Sequence, residues 1–127
     1  MTRGTEMTSE ELVRRLAVIA DDKKAIDLVA LDVRQLVGYT DYLVICTARN
    51  ERQAKAIHDE VYHQLKREGW LPARVEGVRE AEWVLMDYLD CVLHVFTPDT
   101  RERYRLEVLW GEADTLDLDV AGARGAA

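Results

Sequence analysis

Residues 82–98 read EWVLMDYLDCVLHVFTP, and this stretch constrains the fold more than any other part of the chain. Two short apolar runs flank a junction at Leu89-Asp90 that leaves room only for a tight turn, so the pair reads as a β-hairpin. A two-residue turn fixes the register. Tyr88 then pairs with Cys91, Asp87 with Val92, Leu85 with His94 and Trp83 with Phe96. Side chains alternate between the faces of a strand. One face therefore carries Val84, Met86, Tyr88, Cys91, Leu93 and Val95, which is all core. The other carries Trp83, Leu85, Asp87, Val92, His94 and Phe96, with Asp87 and His94 on a diagonal within reach of each other. The polar groups are segregated onto one side.

The rest of the chain supplies the layers around this hairpin. Thr8 and Glu11 have the spacing of a capping box, and Leu12, Leu16, Ile19 and Ala20 follow at helical steps as far as the charged DDKK. Residues 25–33 (AIDLVALDV) and 41–48 (DYLVICTA) read as strands, separated by a Gly-containing bend. Asn50 and Gln53 cap a second helix on which Ala54, Ile57, Val61 and Leu65 recur, with Gly69 at its end. Residues 70–82 predict a loop holding at most a short strand at 74–76. Pro98 starts a last helix, with Tyr104, Leu106, Leu109 and Trp110 turned inward and Gly111 as its stop. The pattern predicts one α/β domain over residues 8–113 with a mixed sheet, and flexible tails at 1–7 and 114–127.

A chain of 127 residues with 48% hydrophobic and 32% charged side chains is an ordinary globular domain with a real core. No apolar run is long enough to span a bilayer, and the N-terminal residues have no apolar stretch of the kind that opens a secretory signal. The cysteines, Cys46 and Cys91, lie in apolar strands and read as buried thiols in a reducing cytosol. A formal charge of −7 repels phosphate, so non-specific nucleic-acid binding is disfavoured and a basic protein is the better partner.

Several functions compete for the mixed face of the hairpin. Cys91 and His94 stand three residues apart on one strand, on opposite faces, which rules out a catalytic pair. Asp87 and His94 offer a metal two ligands at best, and His58 and His63 do not share a helix face. No glycine-rich phosphate loop occurs, and the odd spacing of Asp87 and Asp90 points them apart, unlike the paired strand carboxylates of two-metal transfer. An amphipathic surface of Trp, Leu, Phe and acidic groups suits a protein interface. The plain alternative is that Asp87 and His94 pair at the sheet edge while the last helix covers Trp83.

Three motifs carry a resemblance. They are Thr40-Asp41-Tyr42, the W-x-L-x-D-Y-x-D and V-x-H-x-F runs between Trp83 and Phe96, and R-x-x-Y-x-L-E-x-L-W from Arg101 to Trp110. In this order, between about Thr8 and Ala113, they are similar to the ribosomal silencing factor, or Iojap, family. The resemblance implies a fold like that of nucleotidyltransferases without their catalytic signature. It also implies a cytoplasmic, non-enzymatic homodimer that needs no metal or cofactor. Proteins of this kind bind large-subunit ribosomal protein uL14 on the inter-subunit face, block joining of the small subunit, and repress translation when nutrients run short. The expected contact residues are Trp83, Asp87, Tyr88, Asp90, His94, Tyr104 and Glu107, the acidic ones facing a basic partner. The runner-up is a nucleotidyltransferase-like enzyme acting on a nucleotide.

Overall fold

A computed structural model describes residues 7–124. The elements run α1 (Ser9–Asp22), β1 (Ile26–Asp32), β2 (Tyr42–Thr47), α2 (Glu51–Arg67), β3 (Arg74–Glu76), β4 (Trp83–Asp87), β5 (Cys91–Phe96), α3 (Pro98–Tyr104), α4 (Leu106–Leu109) and β6 (Asp114–Leu116). The six strands form one sheet in the order β3-β4-β5-β2-β1-β6. Only β2 and β5 are parallel; every other neighbouring pair is antiparallel.

Local chemistry starts the helices where the sequence says it should. The Thr8 hydroxyl accepts from the Glu11 N–H while the Glu11 carboxylate accepts from the Thr8 N–H, the reciprocal capping box. Asn50 accepts from the Gln53 N–H and opens α2. Both helices lay their buried stripes on one face of the sheet. There Leu12, Leu16, Ile57, Val61 and Leu65 pack with Val84, Met86, Leu93 and Val95 in the main core. The hairpin register matches the expected pairing at each of its five strand pairs, from Trp83 with Phe96 to Asp87 with Val92.

The opposite sheet face has its own smaller core of Val29, Leu31, Leu43, Ile45, Val92 and Phe96. Trp83, Leu85, Leu106 and Trp110 pack against it. Segment 98–110 supplies that cover, and it does so differently from the single helix expected. Arg105 adopts a left-handed conformation (φ 47°, ψ 57°) that breaks the helix in two. The break turns Leu106 and Trp110 toward the sheet and leaves Tyr104 and Leu109, expected to face inward, 49% and 66% exposed.

The C-terminal segment also departs from expectation. Residues 114–124 are not a free tail: β6 pairs with β1 through Ala30, Leu31 and Asp32, and the chain then turns back so that the Arg124 N–H donates to the Leu28 carbonyl. Leu116, Leu118 and Val120 pack on the main core. The other expected tail falls almost wholly on residues 1–6, outside the described residues, although Met7 packs on the core.

Candidate functional site

The hairpin is held from three sides, which gives its mixed face a fixed shape. At its tip, the Asp90 carbonyl accepts from the backbone N–H groups of Asp41 and Tyr42 at 3.1 and 3.2 Å. That is the structural use of the Thr-Asp-Tyr motif. At its base, Gly77 lies so close to the Trp83 carbonyl that a β-carbon there would sit 2.0 Å from the oxygen, and its φ of 84° also favours glycine. On its far side β5 is paired to β2.

Trp83 is the centre of the face. It is half-buried, with ring centroids 5.0 Å from Phe96 and 4.7 Å from Tyr104. Its indole N–H donates to Nδ1 of His94 at 2.9 Å. A neutral imidazole that accepts at Nδ1 carries its proton on Nε2. Burial holds His94 in that form: it pushes the pKa down to about 4, with the charge of Asp87 opposing only in part. The plain alternative, an Asp87–His94 pair, therefore gives way to a Trp83–His94 pair. The Asp87 carboxylate instead accepts from the Leu89 N–H at 2.8 Å and fixes the turn, in which Leu89 has a φ of 72°.

The remaining expected contact residues divide. Asp90 is exposed at the turn, and Tyr104 stands half-exposed with its ring on Trp83. Tyr88 does not share their surface. It is 3% exposed on the helical side, its hydroxyl has no hydrogen-bond partner among the described residues, and burial raises its pKa. Glu107 is turned inward: its carboxylate takes Arg101 at 2.8 Å and Arg124 at 3.1 Å. Burial opposes its ionisation, but its own backbone N–H and the two guanidinium groups outweigh that and hold its pKa below the usual carboxylate value.

Arg101 is the residue that sequence reasoning passed over. Buried at the start of the third motif, it donates to the Asp27 carbonyl and the Thr47 hydroxyl, each at 2.8 Å, as well as to Glu107. It thereby ties α3 and α4 to β1 and β2. The signal was the Arg-to-Glu spacing of six, which one unbroken helix places off a shared face but a break at Arg105 brings together. Cys91 and His94 lie on opposite faces, as the strand alternation required, and burial pushes the thiol of Cys46 up to about 12. Among the described residues no group of three or more His, Cys, Asp or Glu side chains is placed to hold a metal ion, and no helix is long and apolar enough to cross a membrane.

The ribosomal silencing factor during starvation family model matches residues 6–126. The chain belongs to that family. It is 40% identical over 113 residues to the ribosomal silencing factor of Bacillus subtilis, covering 89% of this chain and 96% of that protein. A crystal structure of a Chromobacterium violaceum protein superposes with a TM-score of 0.81 at 31% identity, covering 93% of this chain and 98% of that one. A mouse protein named for mitochondrial assembly of the ribosomal large subunit is 32% identical over 98 residues, which is 75% of this chain and 43% of the mouse protein. The family match extends past Ala113 and takes in the C-terminal segment that β6 anchors. This member of the ribosomal silencing factor family is thus a single α/β unit whose motifs build one hairpin face and its supports.

Proposed function

We propose that this silencing factor docks through the exposed edge of its hairpin on large-subunit ribosomal protein uL14, at the inter-subunit face, and prevents the small subunit from joining. The observation that carries the reading is the Trp83–Tyr104 pair. Two aromatic rings 4.7 Å apart stand partly open to solvent on a backbone fixed from three sides. A rigid aromatic anchor of this kind supplies binding energy at small entropic cost. Asp87 and Asp90 lie at the far end of the same hairpin, and neither forms an ion pair with a basic side chain of the described residues, so both are open to a basic partner. His94 acts from beneath, as the acceptor that orients Trp83. Tyr88 and Glu107 take no part in the contact.

The action is steric. A folded body on the inter-subunit face occupies space that the small subunit needs, and no bond is made or broken. The names of the relatives support a ribosomal target, and the mouse protein's name points to the large subunit. A factor of bacterial ribosomes works in the cytoplasm, and sedimentation equilibrium tests the homodimer that the resemblance implies.

Sedimentation with purified subunits at two salt concentrations tests the docking, and a subunit reassociation assay tests the block. Binding to large subunits that weakens as salt rises is expected. Binding only to small subunits, or joining that proceeds unhindered at saturation, overturns the reading. A melting temperature raised by isolated uL14 but not by nucleoside triphosphate with Mg²⁺ separates docking from nucleotidyl transfer.

A further inference from the structure

The net charge of −7 is not spread evenly. On α2 the core stripe is Ala54, Ile57, Val61 and Leu65, and the opposite face presents Arg52, Lys55, Asp59, His63, Lys66 and Arg67, all exposed. Steps of three and four residues place these side chains on one continuous strip. The strip runs from Arg52 to Lys66, about 21 Å at 1.5 Å per residue.

Off this helix the described chain compensates most of its cations, Lys24, Arg49, Arg79 and Arg103 being the exceptions. Arg14, Arg15, Lys23, Arg34, Arg74, Arg101, Arg105 and Arg124 each meet a carboxylate. On the strip, Arg52, Lys55 and Lys66 meet none among the described residues, and Lys66 lies over the Tyr62 ring instead. The one carboxylate in the strip, Asp59, is engaged by Nδ1 of His58 at 2.8 Å. An acidic protein that pairs eight of the twelve described Lys and Arg side chains off this helix, and leaves a row of them bare on it, has there a surface of opposite sign to the rest of its body. The strip also lies away from the docking edge, because α2 packs on the Val84–Met86 side of the hairpin and Trp83 points to the other side.

We propose that the outer face of α2 is a second contact, made to the phosphate backbone of ribosomal RNA on the large subunit. The inference rests on the ribosomal reading above. A solvated helix carrying unpaired charge is the plain alternative, but this strip sets four cations, Arg52, Lys55, Lys66 and Arg67, against the single carboxylate of Asp59. A row of Lys and Arg fits closely spaced phosphates, to which it binds with release of counterions and no base specificity. The two faces divide the work: the aromatic hairpin edge selects the protein partner, and the strip adds salt-sensitive affinity from the other side. The seat on the subunit is then a cleft between protein and RNA.

The test is the full-length triple variant Arg52→Gln, Lys55→Gln, Lys66→Gln. Glutamine matches lysine and arginine in helix propensity, so α2 is retained. Binding is measured against salt for isolated uL14 and for whole large subunits. The expected result is unchanged binding to isolated uL14, weaker binding to subunits, and a log–log salt slope less steep by about two, since each lost phosphate contact removes roughly 0.7 to 0.9. An unchanged slope and affinity on subunits overturns the RNA contact and leaves the strip as solvated surface. Equal loss on isolated uL14 assigns the strip to the protein partner instead. Retention of wild-type protein on anionic vesicles, abolished in the variant while subunit binding is intact, assigns it to a lipid surface. Failure of wild-type protein to bind isolated uL14 sinks the docking proposal separately, whatever the strip does on subunits.

Discussion

The indole N–H of Trp83 donates to Nδ1 of His94 across the hairpin at 2.9 Å, on the face where the strand register also brings Asp87 within reach of His94. The bond requires a neutral imidazole, and burial keeps it neutral. It therefore joins the fold's pH response to the geometry of the docking edge.

Acid should destabilise the protein through this group. Burial pushes the folded pKa of His94 to about 4, against 6.5 for a free imidazole. Between these values the unfolded chain binds the extra proton, so the stabilisation is fully present above pH 6.5 and is lost as pH falls toward 4. The size is on the order of 3 kcal/mol. Urea unfolding at pH 7.5, 6 and 5 measures it. His94→Phe should be less stable at pH 7.5 and should show a flatter profile across that window. An equally steep profile in the variant would assign the response elsewhere.

Tyr104→Ala should separate binding from folding. The ring is half-exposed, so its loss removes little core and should shift stability by no more than about 1 kcal/mol. If the Trp83–Tyr104 pair is the anchor, binding to large subunits should weaken by about 2 kcal/mol, roughly thirtyfold, chiefly through faster dissociation. Trp83→Ala should lose at least as much binding but also melt lower, because Trp83 packs on Phe96 and His94. Tyr104→Ala that melts normally and binds normally would remove Tyr104 from the interface.

Arg101→Ala should be among the most destabilising single changes. It orphans the Thr47 hydroxyl and the Asp27 carbonyl and leaves the mostly buried Glu107 with Arg124 alone. Breaking a buried pair from one side costs about 3 to 5 kcal/mol. A double-mutant cycle with Glu107→Gln, read by urea unfolding, should show strong coupling. Additive effects would mean that Arg101 acts through its backbone carbonyl contact and not through Glu107.

The hairpin was legible because a two-residue turn and period-two alternation leave a single register. Both long helices were legible because caps and apolar spacing agree. What sequence missed arises where one residue changes the path. Nothing in RERYRLEVLW announces that Arg105 turns left-handed, and a continuous helix buries a different set of residues from a broken one. The site suffered in the same way. Tyr88 sits on the core face that the alternation gave it, against the contact role that the resemblance implied, whereas Glu107 has two arginines that only tertiary folding brings near. Likewise the identity of His94's partner depends on where a half-buried indole points, which strand spacing does not determine.

The C-terminal segment gives the last prediction, because its signal was in the sequence. TLDLDV alternates apolar and acidic residues, the period of an edge strand, yet its small size and acidity make it read as solvent-exposed tail. In the fold Leu116, Leu118 and Val120 reach the core while β6 covers the edge of β1, and Arg124 closes on Asp27 at 2.6 Å. Ending the chain after Ala113 should therefore cost about 2 to 4 kcal/mol in lost apolar burial and bare the β1 edge, a template for pairing with other chains. Thermal melting and light scattering check both effects. A truncated protein that melts with the full chain and stays monodisperse would show that the segment contributes nothing to the fold. Asp117→Asn with Asp119→Asn is the control: both side chains are exposed, and the pair should leave the stability within about 0.5 kcal/mol of the parent. If the double change instead matched the truncation, charge on the arm, and not its apolar stripe, would be what holds it down.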